Sequence, residues 1–291
     1  MASEALINVI EQQDFLEQAS EAIQPLVTKA FEAAGPAGQE AKDFLHGTWL
    51  GHPLHPVLTD VPIGAWTAAL ALDALETISG RKELAAGADA AIAVGLVGAL
   101  GSAVTGLTDW SETSGRARKV GLLHGLLNAG ATALYTTSLV MRRRKKRSAG
   151  LGLAMLGYAV SGAASYLGGH LVFGEQIGVD HTAGQEMSKE FVAVLDESEL
   201  GEGEMRKVEA EGVPVLLVRR GGEVHAIAHT CSHMGGPLSE GKLDGEVVEC
   251  PWHGSRFSIK DGSVERGPAT FPQPCFETRI SDGQIEVRST R

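Results

Sequence analysis

Two kinds of hydrophobic patterning divide the chain. Between Val57 and Gly174, four segments (Leu58 to Ile78, Ala85 to Leu107, Val120 to Met141 and Leu151 to Phe173) are dominated by Ala, Gly, Leu and Val. Each matches the ~20 residues that a helix needs to cross a bilayer. Their acidic interruptions include Asp60, Asp73 and Asp89. A soluble four-helix bundle would carry a polar face on every helix, and the second and fourth segments offer none. The pattern predicts an all-α transmembrane four-helix bundle, with Gly121-x-x-x-Gly125 as a small-residue spacing that lets helices approach closely. From Phe191 onward the period falls to two, in runs such as "VPVLLVRR", "EVHAIAHT" and "QIEVRS". Turn pairs separate these runs, among them Gly221-Gly222, Asp244-Gly245, Asp261-Gly262 and Asp282-Gly283. They predict a small antiparallel all-β domain.

Ahead of the first apolar segment, Leu6, Val9, Leu16, Ile23 and Val27 fall on one helical stripe. It is read as packing on the protein, with a membrane surface as the alternative. The expected organisation is a helical segment over 1–44, a membrane domain over 45–173, a polar linker over 174–189 and the β domain over 190–291. The first residues lack the basic and continuous apolar regions of a secretory signal, so no cleaved export signal is expected.

Charge sharpens the division. Met1 to Pro56 holds 2 basic and 8 acidic residues, Val57 to Gly174 holds 11 and 7, and Glu175 to Arg291 holds 12 and 21. Acidic ends argue against a nucleic-acid partner, which needs a basic face. "RRRKKR", Arg142 to Arg147, joins the third and fourth segments, and Arg81 with Lys82 joins the first and second. The positive-inside rule puts both loops in the cytoplasm of a bacterial plasma membrane and the β domain on the extracytoplasmic side. The paired arginines can serve as a topology anchor or as an internal export signal.

Four antiparallel spans would bring His46, His52, His55, Asp60, Asp109, His124 and His170 to the face that carries the β domain. Histidines at membrane depth are costly. Two readings stand for His52, His55, His124 and His170: helix caps and interhelical hydrogen bonds, or a metal, haem b or quinone site. "GHPLHPVLTDVPIGAW", Gly51 to Trp66, resembles the start of an uncharacterised bacterial four-span membrane family, over about Leu45 to Phe173.

The β domain carries the clearest chemistry. Cys231-x-His233 is followed after sixteen residues by Cys250-x-x-His253. Thiolates suit ferric iron bridged by sulfide, and neutral imidazoles raise a cluster's potential. A zinc site more often pairs cysteine with cysteine and histidine with histidine. Cys275 is left over and reads as a small buried side chain in a strand. His225 and His229, on the strand leading into the first loop, read as surface or packing residues.

"CSHMGGPL" and "CPWHGSRF" resemble the two cluster-binding loops of Rieske [2Fe–2S] proteins, and the resemblance covers about Phe191 to Arg291. It implies a [2Fe–2S] cluster with Cys231 and Cys250 on one iron and His233 and His253 on the other. Ser255 matches the hydroxyl that bonds a cluster sulfide. "GPATFPQP", Gly267 to Pro274, matches the loop that covers the cluster, with Pro272 as its proline. High-potential members carry an extra cysteine in each loop, and Gly236 and Trp252 stand there here, so no loop disulfide can form. Phe257 stands where those members often carry tyrosine. Fewer donors to the sulfurs imply a potential below the top of the roughly −150 to +300 mV Rieske range.

The resemblance implies a membrane-bound carrier of single electrons that exchanges them with quinol or with a haem in the bundle. The alternative is an anchored ferredoxin-like module that serves a separate oxygenase or reductase. A complete Rieske oxygenase is not expected, because 38 residues follow His253 and a mononuclear iron domain needs many more.

Overall fold

A computed structural model describes residues 2–186 and 188–290. They form two compact units. The first holds the residues up to Ala41 together with Leu54–Ile177, and the second holds Lys42–Pro53 together with the chain from Gly178 onward.

The first unit is helical: α1 Ala2–Glu11, α2 Asp14–Ala33, α3 Gly35–His46 (whose last five residues belong to the second unit), α4 Leu54–Ser79, α5 Glu83–Trp110, α6 Gly115–Arg143 and α7 Arg147–Phe173. Three of them, α4, α5 and α7, are long and apolar enough to cross a membrane. The third predicted segment does form α6. Arg116, Arg118 and Lys119 in its first turns, with Asn128, Thr132, Thr136 and Thr137 along it, keep its hydropathy below that of a span. On composition, therefore, the expected four-span bundle is reduced to three candidate spans plus one more polar helix. The hydroxyls of Thr132, Thr136 and Thr137 donate to carbonyls one turn back, at 2.8 Å in each case.

The N-terminal stripe breaks at Gln12 and Gln13 into two helices, and the break changes its phase. Ile7, Ile10 and Leu16 are the buried residues, packed with Trp110, Val120, Leu122 and Leu167, whereas Leu6 and Val9 face outward. Gln24 donates to the Trp110 and Thr113 carbonyls at 2.8 and 3.0 Å, and Lys119 donates to the Glu11 carbonyl at 2.7 Å. The first two helices thus pack on the bundle, as the preferred reading of the stripe expects.

Glycine does bring helices together, and of the predicted pair Gly121 does so while Gly125 does not. A Cβ at Gly121 would meet Trp110 Cδ1 at 2.6 Å, and one at Gly125 would meet nothing within 4 Å. α5 also approaches α4 closely: a Cβ at Gly95 would lie 2.2 Å from Trp66 Nε1 and one at Gly98 2.6 Å from Val61 Cγ1. Trp66 stacks on Tyr135 of α6 at 4.1 Å, which joins the two helix hairpins. Outward along α5 stand Val97 and Leu100, 72% and 66% exposed, as a bilayer-facing helix requires.

One end of the bundle is tied by charge. Arg142 of α6 is buried and pairs with Asp73 of α4, and donates to Asp89 of α5 at 3.0 Å. Arg147 of α7 reaches Asp73 at 2.9 Å, Glu76 at 2.7 Å and Asp89 at 3.0 Å. Asp73 and Asp89, two of the acidic interruptions of the first two segments, are therefore counter-charges of the basic loop. Arg142 and Arg147 point into this network, and Arg143, Arg144, Lys145 and Lys146 are its exposed basic residues.

Among the described residues the second unit holds ten strands: β1 Val192–Asp196, β2 Met205–Ala210, β3 Val213–Arg220, β4 Glu223–Ala228, β5 Lys242–Asp244, β6 Val247–Glu249, β7 Arg256–Ser258, β8 Val264–Arg266, β9 Cys275–Ser281 and β10 Gln284–Ser289. All strand pairs are antiparallel, in a six-stranded sheet ordered β1-β10-β9-β4-β3-β2 and a four-stranded sheet ordered β5-β6-β7-β8. Gly221-Gly222 and Asp282-Gly283 make the predicted two-residue hairpin turns, every one of these residues at positive φ. The expected linker is shorter than its composition implied. The His181 N–H donates to the Ser232 carbonyl at 3.1 Å and Thr182 is buried, so the chain from Gly178 packs on the β domain.

Removing one partner of a buried ion pair leaves an uncompensated charge. Arg142→Ala is expected to cost about 3 kcal/mol of stability. The exposed Arg143→Ala should stay within about 0.5 kcal/mol of the parent. Thermal denaturation of the two variants in one detergent checks the contrast.

Candidate metal centre

The two cysteine loops are one hydrogen-bonded turn made twice. The first loop follows β4; in it the Cys231 N–H donates to the Gly236 carbonyl at 2.8 Å and the Gly235 N–H to the Cys231 carbonyl at 2.9 Å. The second joins β6 to β7; in it the Cys250 N–H donates to the Ser255 carbonyl at 2.8 Å and the Gly254 N–H to the Cys250 carbonyl at 3.1 Å. Gly235 and Gly254 take φ of 78° and 72°, a region open to glycine at no steric cost. In each loop the cysteine sulfur accepts backbone N–H groups from the residues two and three places on, His233 and Met234 or Trp252 and His253.

Facing each other, the turns bring like donors together. The Cys231 and Cys250 thiols are hydrogen-bonded, and the His233 and His253 rings lie 5.1 Å apart at 89°. Among the described residues no three His, Cys, Asp or Glu side chains converge on one metal ion. The four donors stand as a thiol pair and an imidazole pair. Gly236 is what lets the thiols meet, since a Cβ there would lie 2.8 Å from Cys250 Sγ.

Electrostatics suits ligands. Sharing a hydrogen bond with Cys231 brings the Cys250 thiol down to about 7, and the same contact with burial pushes Cys231 above the usual thiol range. Burial depresses His233 to about 3, and the charges of His253, His46, His181 and Lys42 act in the same direction, so its ring is neutral at physiological pH. Its Nδ1 is buried with no hydrogen-bond partner.

The loop Gly267 to Pro274 touches both turns. The Ala269 N–H donates to Ser255 Oγ at 3.0 Å, and the Ser232 hydroxyl donates to the Phe271 carbonyl at 2.7 Å. Gln273 is buried; with its amide nitrogen toward the Thr230 carbonyl (3.1 Å), its oxygen accepts the Ser232 N–H at 2.8 Å. Sequence reasoning missed Gln273, the cradle at Gly236 and the nearby His181, and no local motif marks any of them; His46, expected on the face that carries the β domain, does fold with that domain. Pro272 is exposed in this loop, and Phe257 is fully buried in the core. His229 is buried and bonds Ser239 Oγ at 2.8 Å, as a packing residue does.

The four histidines offered for a membrane cofactor do not meet. His55 and His124 lie 6.3 Å apart, but their Nδ1–H groups donate to the Ser102 and Ala164 carbonyls at 2.9 and 2.8 Å. Asn128 Nδ2 lies 3.2 Å from His124 Nε2, so both nitrogens of His124 are engaged. His170 donates to Glu175 at 3.1 Å. His52 folds with the second unit, edge-on to Phe271 at 5.3 Å. These contacts are those of capping and interhelical bonding.

Comparison with known proteins agrees with this division. Residues 190–277 match the Rieske [2Fe-2S] domain, and residues 51–181 match a family described as "Predicted membrane protein (DUF2231)". The chain is 35% identical to the ferredoxin CarAc of Metapseudomonas resinovorans over 102 residues, 35% of this chain and 95% of that one. It is 39% identical to human apoptosis-inducing factor 3 over 99 residues, which is 34% of this chain and only 16% of that protein's length. Among solved structures, the ferredoxin of carbazole 1,9a-dioxygenase from Nocardioides aromaticivorans IC177 aligns at 28% identity over 34% of this chain and 98% of that one, with a TM-score of 0.33.

Coupled thiols lose their protons in two separate steps that belong to the pair. In metal-free protein carrying Cys275→Ser, ultraviolet absorbance should report one thiolate per chain forming around pH 7, since Cys250 stands at about 7, and no second one in the ordinary thiol range near ~8.5. Cys231→Ser should return the remaining thiol toward that ordinary value.

Proposed function

The chain belongs to the Rieske [2Fe–2S] family through its C-terminal domain, fused to a DUF2231 membrane domain, and from that premise we propose that it is a membrane-anchored, ferredoxin-type carrier of single electrons. The ligands in this reading are Cys231 and Cys250 on one iron and His233 and His253 on the other. The paired thiols, the paired neutral imidazoles and the buried, unpartnered His233 Nδ1 support it. Bound there, the cluster supplies a one-electron couple.

The protein's own residues do the rest. Backbone N–H groups of His233, Met234, Trp252 and His253 point at the cysteine sulfurs and offset their negative charge. Ser255 Oγ accepts from Ala269 and keeps its own proton for a sulfide. Gly236 and Trp252 leave the loops without a disulfide. Trp252, 57% exposed beside the His253 ring, lies at the edge where a partner would dock.

The observation that carries the choice of partner class is the 95% coverage of a free-standing ferredoxin by this one domain. A separate oxygenase or reductase is therefore the favoured partner. A quinol or a haem in the bundle has only the His55–His124 approach in its favour, and the bonds of those rings oppose it.

The reading includes four crossings. Asp43, before α4, accepts a hydrogen bond from Gly267, after α7, so both lie on one side of a membrane. That favours an even number of crossings, and α4, α5 and α7 alone make an odd one. The short turns from α5 to α6 and from α6 to α7 support reading α6 as a fourth crossing. With the exposed Arg143, Arg144, Lys145 and Lys146 in the cytoplasm, the Rieske domain faces the opposite side.

Purified protein should contain the two irons and two sulfides of a [2Fe–2S] centre and show no haem band. Cys250→Ser should abolish the paramagnetic signal of the reduced state, and Gly236→Ala should lower the iron content by displacing Cys250. Ser255→Ala should lower the midpoint potential. Stoichiometric zinc would defeat the cluster reading, and a haem band or direct reduction by quinol would favour the other partner class. A reporter after Arg291 that reads as cytoplasmic would defeat the orientation.

A further inference from the structure

Residues 42–50 lie outside both family matches, yet they fold with the Rieske domain. This short stretch continues α3 by one turn and then doubles back through Gly47 and Gly51, at φ of 91° and 68°. The Thr48 hydroxyl donates to the Asp43 carbonyl at 3.0 Å and closes the turn.

Its contacts fall on the loop that covers the cluster turns. Asp43 Oδ1 accepts the Gly267 N–H at 3.0 Å. A Cβ at Gly267 would stand 3.0 Å from that oxygen and 3.1 Å from Thr48 Cγ2, so a residue without a side chain is what admits the segment this closely. His46, 3% exposed, is enclosed beside the same glycine, and His52 packs edge-on to Phe271.

The far side of that loop makes the bonds to the cysteine turns. Two residues beyond Gly267, the Ala269 N–H holds Ser255 Oγ, and Phe271 O accepts from Ser232. Two contacts of the upstream segment are thus matched by contacts with the cysteine turns, Asp43 with Ser255 and His52 with Ser232.

We propose that Lys42–Pro53 is a strap that completes the iron–sulfur site, with Asp43 as a positioning residue. By anchoring Gly267, Asp43 keeps the Ala269 N–H on Ser255 Oγ and so fixes the direction in which the Ser255 hydroxyl can donate. The inference rests on the cluster reading above, which iron and sulfide content tests separately.

The experiment uses the full-length protein in detergent, with iron and sulfide measured first. A hydrogen bond to a charged acceptor contributes about 1.5–3 kcal/mol, so D43A should speed amide exchange at Gly267 and Ala269 by roughly tenfold or more. It should also lower the midpoint potential, the direction expected for S255A. D43N keeps an acceptor oxygen and should restore most of both. Unchanged exchange, or faster exchange with an unmoved midpoint, overturns the proposal. If D43A loses its iron, exchange is compared between iron-free parent and iron-free D43A, and equal protection of Gly267 overturns it.

Discussion

Two thiols buried against each other are the constraint on which the β domain depends. Burial and mutual contact favour one shared proton over two separate charges, so the chain must supply donors to the sulfurs and keep everything else away. It does so with one turn used twice, in which the cysteine N–H and the glycine N–H close the backbone and the two intervening N–H groups turn toward sulfur. The rest follows from holding those turns face to face. The four-stranded sheet carries the second, and the six-stranded sheet leads into the first through β4. Leu216, Ile227, Leu238, Val248 and Phe257 form the core that joins them around Cys231 and Cys250. Phe257, which lacks the hydroxyl expected of high-potential relatives, is wholly committed to that core.

What was legible in the sequence was what is local. The donor spacing survives into the structure as two pairs because each cysteine and its histidine share a turn, and Gly-Gly and Asp-Gly mark hairpins whose φ values need them. Contacts remote in sequence left no local mark. Asp43 and Gly267 are 224 positions apart, and nothing around Asp43 distinguishes it from a solvated helix carboxylate. Gln273 reads as a polar loop residue and is instead buried between Thr230 and Ser232. The histidines of the membrane domain left two readings open. Composition marks them as costly, and only the structure assigns their nitrogens to Ser102, Ala164, Asn128 and Glu175.

Charge in the helical unit shows how far a residue's reading depends on its partners. The basic run between α6 and α7 looks uniform, but helix phase sends Arg142 and Arg147 inward and the four residues between them outward. The inward pair meets Asp73, Glu76 and Asp89 from two other helices. Buried pairs of this kind give little net stability over apolar packing, but they penalise any arrangement that separates them. A register shift of one helix in the bundle would strand a charge, so the network specifies the pairing of four helices whose Ala- and Gly-rich surfaces discriminate poorly.

Covalent attachment explains how so short a strap can belong to the cluster site. One charge-assisted hydrogen bond of about 1.5–3 kcal/mol and one aromatic edge contact of about 0.5–1.5 kcal/mol together correspond to a dissociation constant of roughly millimolar or weaker. A free peptide with those contacts would stay mostly unbound. A segment fixed at both ends competes at an effective concentration in the millimolar range, so the same contacts can hold it in place. Its ends continue into α3 on one side and α4 on the other. The stretch immediately ahead of the membrane domain is therefore in a position to shape a site some two hundred residues downstream, at little energetic cost and with no motif to announce it.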